Sequence, residues 1–273
     1  MAATRAESGA GERWLAAAGP AVLLAVALLP GLRLAGVVGL LVGWAVLLVF
    51  RHPAAIAWAA MLPVGLVLPW PWLLGGDAPL GEAVCVDPLS VIALRRVAIA
   101  ALGLLAVARL AAVHRSSLGE LGLRRPGRRE ASAALGAVAA LAAGGLWVGP
   151  WLARPFFGEL DFPRPVAAVV PAVVFGIANG VLEEVAYRGA MQAWLSRAMP
   201  LAWAIGLQGV AFGIVHAGPD VVALLPVHIA VMSAVGVVGG IARAGLGSLW
   251  VPIGVHVGAD IALYVGLACR VAA

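Results

Sequence analysis

Nine apolar runs follow one another along this sequence, at roughly 14–30, 35–50, 54–74, 91–113, 131–152, 167–187, 201–217, 221–242 and 246–268. About 20 apolar residues carry a helix across bilayer hydrocarbon, where no water is present to satisfy an open backbone. Runs of this length and number predict an all-α, polytopic transmembrane helical bundle of about eight or nine membrane helices. The first two runs are short, and Pro63, Pro69 and Pro71 should kink the third or end it early. Charged residues make up only 11% of the chain and apolar ones 63%. An ordinary soluble domain carries about 25% charge, so a soluble core is excluded. Trp14 to Leu29 is followed by GLRLAG, without a small-x-small cleavage site, and reads as the first span rather than a leader.

Every basic residue other than His is Arg, and the arginines report orientation. With nine spans and a cytoplasmic N-terminus, the inner segments hold Arg5, Arg13, Arg51, Arg115, Arg124, Arg125, Arg128, Arg129, Arg188, Arg197 and Arg243. The outer ones hold Asp77, Glu82 and Asp87, then a balanced Arg154, Glu159, Asp161 and Arg164. That is the bias of cytoplasmic loops, and it predicts a multi-pass protein of the cell (inner or plasma) membrane. The net charge of +5 is spread over short loops and points to no nucleic acid. The one long basic stretch, SSLGELGLRRPGRRE (116–130), reads as a cytoplasmic loop beside anionic lipid, with substrate docking as the other reading. Cys85 and Cys269 are far apart, without a CxxC or Cys/His neighbour, so a structural zinc site is not expected. A disulfide requires both to face outside. No repeat of 20–50 residues and no inverted halves of the transporter type are evident.

Ionisable residues inside apolar runs are expensive and mark function by default. EEVAYR (183–188) closes the sixth run. If its helix continues to a turn at Met199-Pro200, Glu183 and Glu184 lie about 16 residues before that turn and His216 about 16 after it. At 1.5 Å per residue all three stand roughly 24 Å from the turn. A second turn near Ala244-Gly245 brings His228, His256 and Asp260 to the same depth. Glu184 and Arg188, and likewise His256 and Asp260, are i,i+4 pairs on one helical face. Glu183 is turned about 100° from Glu184, so one carboxylate can be held by Arg188 while the other faces a cavity as a general base. Gly176, Gly180, Gly189, Gly209, Gly213, Gly254 and Gly258 permit close helix approach. Each motif alone also fits a structural role: a helix-end ion pair, a hydrogen-bonded core histidine, or a His–Asp pair. His228 reads as structural, and Asp220 as a cap for the eighth helix.

E-x-x-x-R preceded by a second Glu (183–188), F-x-x-x-H (212–216) and H-x-x-x-D (256–260), in that order on successive membrane helices, resemble the CPBP family of CAAX-protease and bacteriocin-processing (Abi) intramembrane endopeptidases. The flanks LGLRRP (121–126) and GLGSLWVPIGVH (245–256) are similar as well, and the resemblance spans about 118–268. It implies three parts: N-terminal membrane helices of unassigned role (1–114), a basic cytoplasmic loop (115–130) and a catalytic membrane domain (131–273). It implies Glu183 as the base for water, Glu184 and Arg188 completing the first motif, and His216 orienting the water or protonating the leaving amine. His256 with residue 260 would bind the oxyanion. Position 260, often Asn in the family, is Asp here, and an ionised Asp cannot donate. Asp260 is therefore expected to orient and charge His256, or else to be protonated. The implied partner is a membrane-anchored protein or peptide substrate; prenylated tails, leader peptides, anchored regulators and C-terminal sorting tails all remain open. The Arg-only, Ala/Gly-rich composition suggests a high-GC bacterium, where prenylated tails are not expected. No cofactor is expected. Zinc held by Glu and His is the rival, against which HExxH is absent. A transport protein or a non-catalytic immunity protein on the same fold are the functional rivals.

Overall fold

The structure is a computed structural model that describes residues 18–26, 32–67, 91–157, 160–161, 166–216, 225–268 and 271–272. Its helices are α1 (18–26), α2 (Arg33–Val49), α3 (Ala55–Val67), α4 (Val91–Val113), α5 (Arg128–Phe157), α6 (Val169–Glu183), α7 (Gln192–Ala198), α8 (Leu201–Val215), α9 (Leu225–Leu246) and α10 (Trp250–Leu263). A π-helical segment, Glu184–Met191, joins α6 to α7, and a second, Tyr264–Ala268, extends α10. The fold is all-α apart from one short antiparallel pair, Leu160–Asp161 with Val271–Ala272.

Four stretches are long and apolar enough to cross a membrane: Ile92–Val113, Arg128–Gly149, Val166–Ala198 and Pro226–Leu246. Leu34–Val49, Ala55–Gly65, Leu201–Val215 and Trp250–Gly266 are apolar but shorter. Eight or nine full crossings are thus not seen among the described residues. The third run is helical through Pro63 as far as Val67. Pro69, Pro71, both cysteines, Asp77, Glu82, Asp87 and Asp220 lie outside the described residues.

Many apolar side chains point outward, while polar ones within the apolar helices point inward. Val231, Val235, Val238 and Ile241 of α9 are exposed, whereas Asn179, Glu184, Arg188, Gln192, Gln208 and Asp260 are buried. In water that distribution would be unstable; in hydrocarbon it removes polar groups from lipid and leaves apolar ones facing it. Helix α10 packs against α5 and α6, α8 against α9, and α4 against α6. Glycine sets the closest approaches. A Cβ at Gly180 of α6 would lie 2.9 Å from the Val257 nitrogen of α10, and one at Gly236 of α9 would lie 2.7 Å from Cα of Gly209 in α8. Backbones this close are the means by which helices associate without a hydrophobic driving force.

The loop after α4 is fastened to the rest. Leu121 is buried, Gly122 adopts φ +76°, and the Leu249 N–H donates to the Gly122 carbonyl at 2.9 Å. Trp250 Nε1 donates to the Arg124 carbonyl at 2.6 Å, and Arg243 donates to the Glu120 carbonyl. The two stretches LGLRRP and GLGSLW therefore dock on each other. The second hairpin turns at Gly247 (φ +63°), slightly later than Ala244-Gly245, whereas the first turns at Met199-Pro200 as expected.

Candidate active site

Glu183 is the last residue of α6 and Glu184 the first of the π segment. The two carboxylates therefore straddle a change of helical winding, where the expected 100° offset of a regular α-helix does not apply. π-bulges concentrate at functional sites because they re-aim side chains without breaking the helix. Val166–Ala198 is 33 residues long, and the pair sits near its middle. His216 caps the C-terminus of α8, which at 15 residues ends at the level of the carboxylates. His256 and Asp260 lie one turn apart on α10.

The structure brings all six residues singled out in the sequence together. Glu183 Oε2 stands 3.7 Å from His216 Nε2 and 3.6 Å from His256 Nε2. Glu184 Oε1 lies 2.8 Å from His256 Nδ1 and 3.1 Å from Arg188 Nη1. Asp260 Oδ2 is 3.6 Å from His256 Nε2. Arg188, 1% exposed, rests its guanidinium on the Phe212 ring, 4.1 Å from the centroid, and fills the space that a side chain at Gly239 would take. Phe212 also stacks on His216, with centroids 4.4 Å apart.

Nδ1 of His256 bonds to Glu184 and not to Asp260. The i,i+4 spacing sets Asp260 beside the Nε2 edge of the ring, while Nδ1 faces the π segment. Hydrogen bonding also fixes the tautomers. His216 Nδ1 lies 2.6 Å from the Phe212 carbonyl, which can only accept, so Nδ1 carries hydrogen. A carboxylate accepts from His256 Nδ1 in the same way. Both Nε2 atoms consequently turn towards Glu183 Oε2, which is buried and has no hydrogen-bond partner. With Nδ1 occupied, Nε2 is on each ring the position that can take up or give up a proton, and the two converge on one carboxylate oxygen. The arrangement suits proton transfer.

Three features escaped the sequence reading. Asn179 Nδ2 donates to Asp260 Oδ2 at 2.8 Å. Arg96 of α4 reaches within 3.8 Å of Glu183 Oε1 and lies over the Phe175 ring. Both carried a legible signal, a polar residue inside an apolar run. The π segment carried none. His228 stays outside the carboxylate cluster and is hydrogen-bonded to the His216 main chain.

Fold and site together define a polytopic helical membrane protein with a buried carboxylate–histidine centre. Residues 165–262 match the family model described as Rce1-like, type II CAAX prenyl endopeptidase. That stretch holds all six site residues, and the family it matches is of the CAAX-protease kind that the motifs resemble. No curated protein and no solved structure matches the chain.

Proposed function

We propose that this chain is an intramembrane endopeptidase in which Glu183 activates the attacking water. The family match over 165–262 supports a membrane protease as the class. The observation that carries the finer reading is Glu183 Oε2, buried, unpartnered and faced by two imidazole nitrogens at 3.6 and 3.7 Å. Water bound there gives its proton to Glu183 as its oxygen attacks the scissile carbonyl. His256, held through Nδ1 by Glu184 and protonated on Nε2, donates to the developing oxyanion. The tetrahedral intermediate collapses with cleavage of the C–N bond, and the proton passes from Glu183 to the leaving amine, with His216 as carrier. The products are a carboxylate and an amine. Glu184 and Arg188 form the electrostatic frame, since Arg188 neutralises the carboxylate that orients His256.

The substrate is a membrane-anchored protein or peptide, and the steps above call on no metal.

Membrane proteomics of a deletion strain complemented with wild type or Glu183→Gln provides the test. Uncleaved substrate should accumulate equally in the deletion and the variant, since loss of a general base costs about 10²–10⁴-fold in rate. Normal processing by Glu183→Gln removes the glutamate mechanism and favours a non-catalytic role. Cleavage by the purified enzyme should withstand o-phenanthroline; loss reversed by Zn²⁺ would establish the metal reading instead.

A further inference from the structure

One buried polar side chain beside the site has no part in the reaction described above. Asn179 lies on α6 one turn before Glu183 and is 5% exposed. An amide in this setting is costly unless its hydrogen bonds have a use. Its Nδ2 donates to Asp260 Oδ2 at 2.8 Å, while its own Oδ1 has no partner, so donation to Asp260 is what fixes its orientation.

The geometry of Asp260 gives that bond a meaning. Asp260 follows His256 by one turn, a spacing from which a carboxylate can accept directly from a ring nitrogen. It does not do so here: Oδ2 stands 3.6 Å from Nε2, outside hydrogen-bond range, and 2.8 Å from Asn179. The same Nε2 faces Glu183. A carboxylate released from Asn179 would compete for the Nε2 hydrogen, the donor assigned to the oxyanion.

We propose that Asn179 is a positioning residue that holds Asp260 off His256 Nε2, keeping that N–H free for the reaction. This rests on His256 as the oxyanion donor. It also explains how an acid is tolerated at position 260, where a donor would serve better: the acid oxygen nearest the site is occupied by an amide from the neighbouring helix.

The proposal makes Asn179 act through Asp260, and epistasis tests it. Wild type, Asn179→Ala, Asp260→Asn and the double variant are compared in proteoliposomes, each first checked for thermal unfolding. The probe is an internally quenched, membrane-anchored peptide spanning the site cleaved in the accumulated substrate, beside a farnesylated CAAX peptide. Asn179→Ala should lower kcat by about 10–100-fold with KM within about threefold, the pattern of an interaction made only in the transition state. Adding Asp260→Asn should recover at least about fivefold, because the competing carboxylate is gone. Wild-type kcat in Asn179→Ala, or single losses that simply multiply in the double variant, overturns the proposal. If Asn179→Ala does not fold, Asn179→Ser with the same second substitution gives the same reading. Epistasis alongside an active Glu183→Gln would sink the base assignment alone. Absent epistasis with an inactive Glu183→Gln would sink this proposal alone, and a wild-type protein that cleaves neither peptide overturns both.

Discussion

At the scale of single residues the site is organised around one imidazole and one guanidinium. His256 meets Glu184 on one edge and Glu183 and Asp260 on the other. Arg188 does not touch the proposed reacting atoms; it sits behind Glu184 at 3.1 Å, between Phe212 and Gly239. Only a planar cation fits there, since the contact is a flat face on an aromatic ring as well as a charge. Removing one member of a buried pair leaves the other uncompensated and typically costs about 3–5 kcal/mol. Glu184 keeps its His256 bond, so Arg188→Gln is expected near the lower end of that range. Thermal unfolding in detergent should show the loss. Cleavage should fall with it even at temperatures where the variant is folded, because an unframed Glu184 no longer fixes His256. Full activity in a folded Arg188→Gln would show that the guanidinium serves packing only.

At the scale of elements, the depth of the site was legible in the sequence and its wiring was not. Counting residues back from a Pro-marked turn places Glu183, Glu184 and His216 level because both arms are helical at 1.5 Å per residue, whatever the side chains do. Glycines at 180 and 209 announce close crossings for the same reason: they act through the backbone. The π segment is a cooperative outcome of packing, and EEVAYRGAM gives no sign of it. Arg96 comes from α4, remote in sequence, and only tertiary structure pairs it with Glu183. The loop between α4 and α5 is a further element whose role depends on contacts. Glu120 accepts from the Ser117 N–H at 2.7 Å and from Arg197 Nη2 at 2.8 Å. These bonds, that of Ser117 first, hold its carboxyl below the usual carboxylate range. A depressed acid contributes stability that is present above the unfolded value, about 4, and is lost as pH falls through the folded value. Hydrogen-exchange protection across the loop, relative to the intrinsic exchange rate at each pH, is therefore expected to be flat from pH 8 to 5 and to fall under stronger acid. Glu120→Gln should show the looser loop already at neutral pH. Because Glu120 is exposed, global stability should change little. An unchanged loop in Glu120→Gln would mean that Leu121, Gly122 and Arg124 fasten it unaided.

At the scale of the whole molecule, the polar anchors fix which ends of the helices share a membrane face. Arg197 at the end of α7 pairs with Glu120, and Leu249 at the start of α10 bonds to Gly122. The first hairpin turn, the second and the basic loop thus lie together. The arginines of that loop argue for the cytoplasmic side. Val166 stands at the far end of the Val166–Ala198 helix. At 1.5 Å per residue its 33 residues span roughly 50 Å, more than the ~30 Å of hydrocarbon, so the helix is long enough for its two ends to emerge on opposite sides. Leu118 in the loop is 66% exposed and Val166 is 86% exposed, which makes both suitable for substitution without disturbing the core. With Cys85 and Cys269 replaced by Ser, Leu118→Cys is expected to react with a membrane-impermeant maleimide only in inverted vesicles. Val166→Cys should react in intact cells. The reverse pattern would turn the molecule over, placing the basic loop outside and opening the site's cytoplasmic end to the exterior. Labelling of both positions from one side would mean that the helix bearing Glu183 does not cross, and the proposed reaction would then lose its membrane setting.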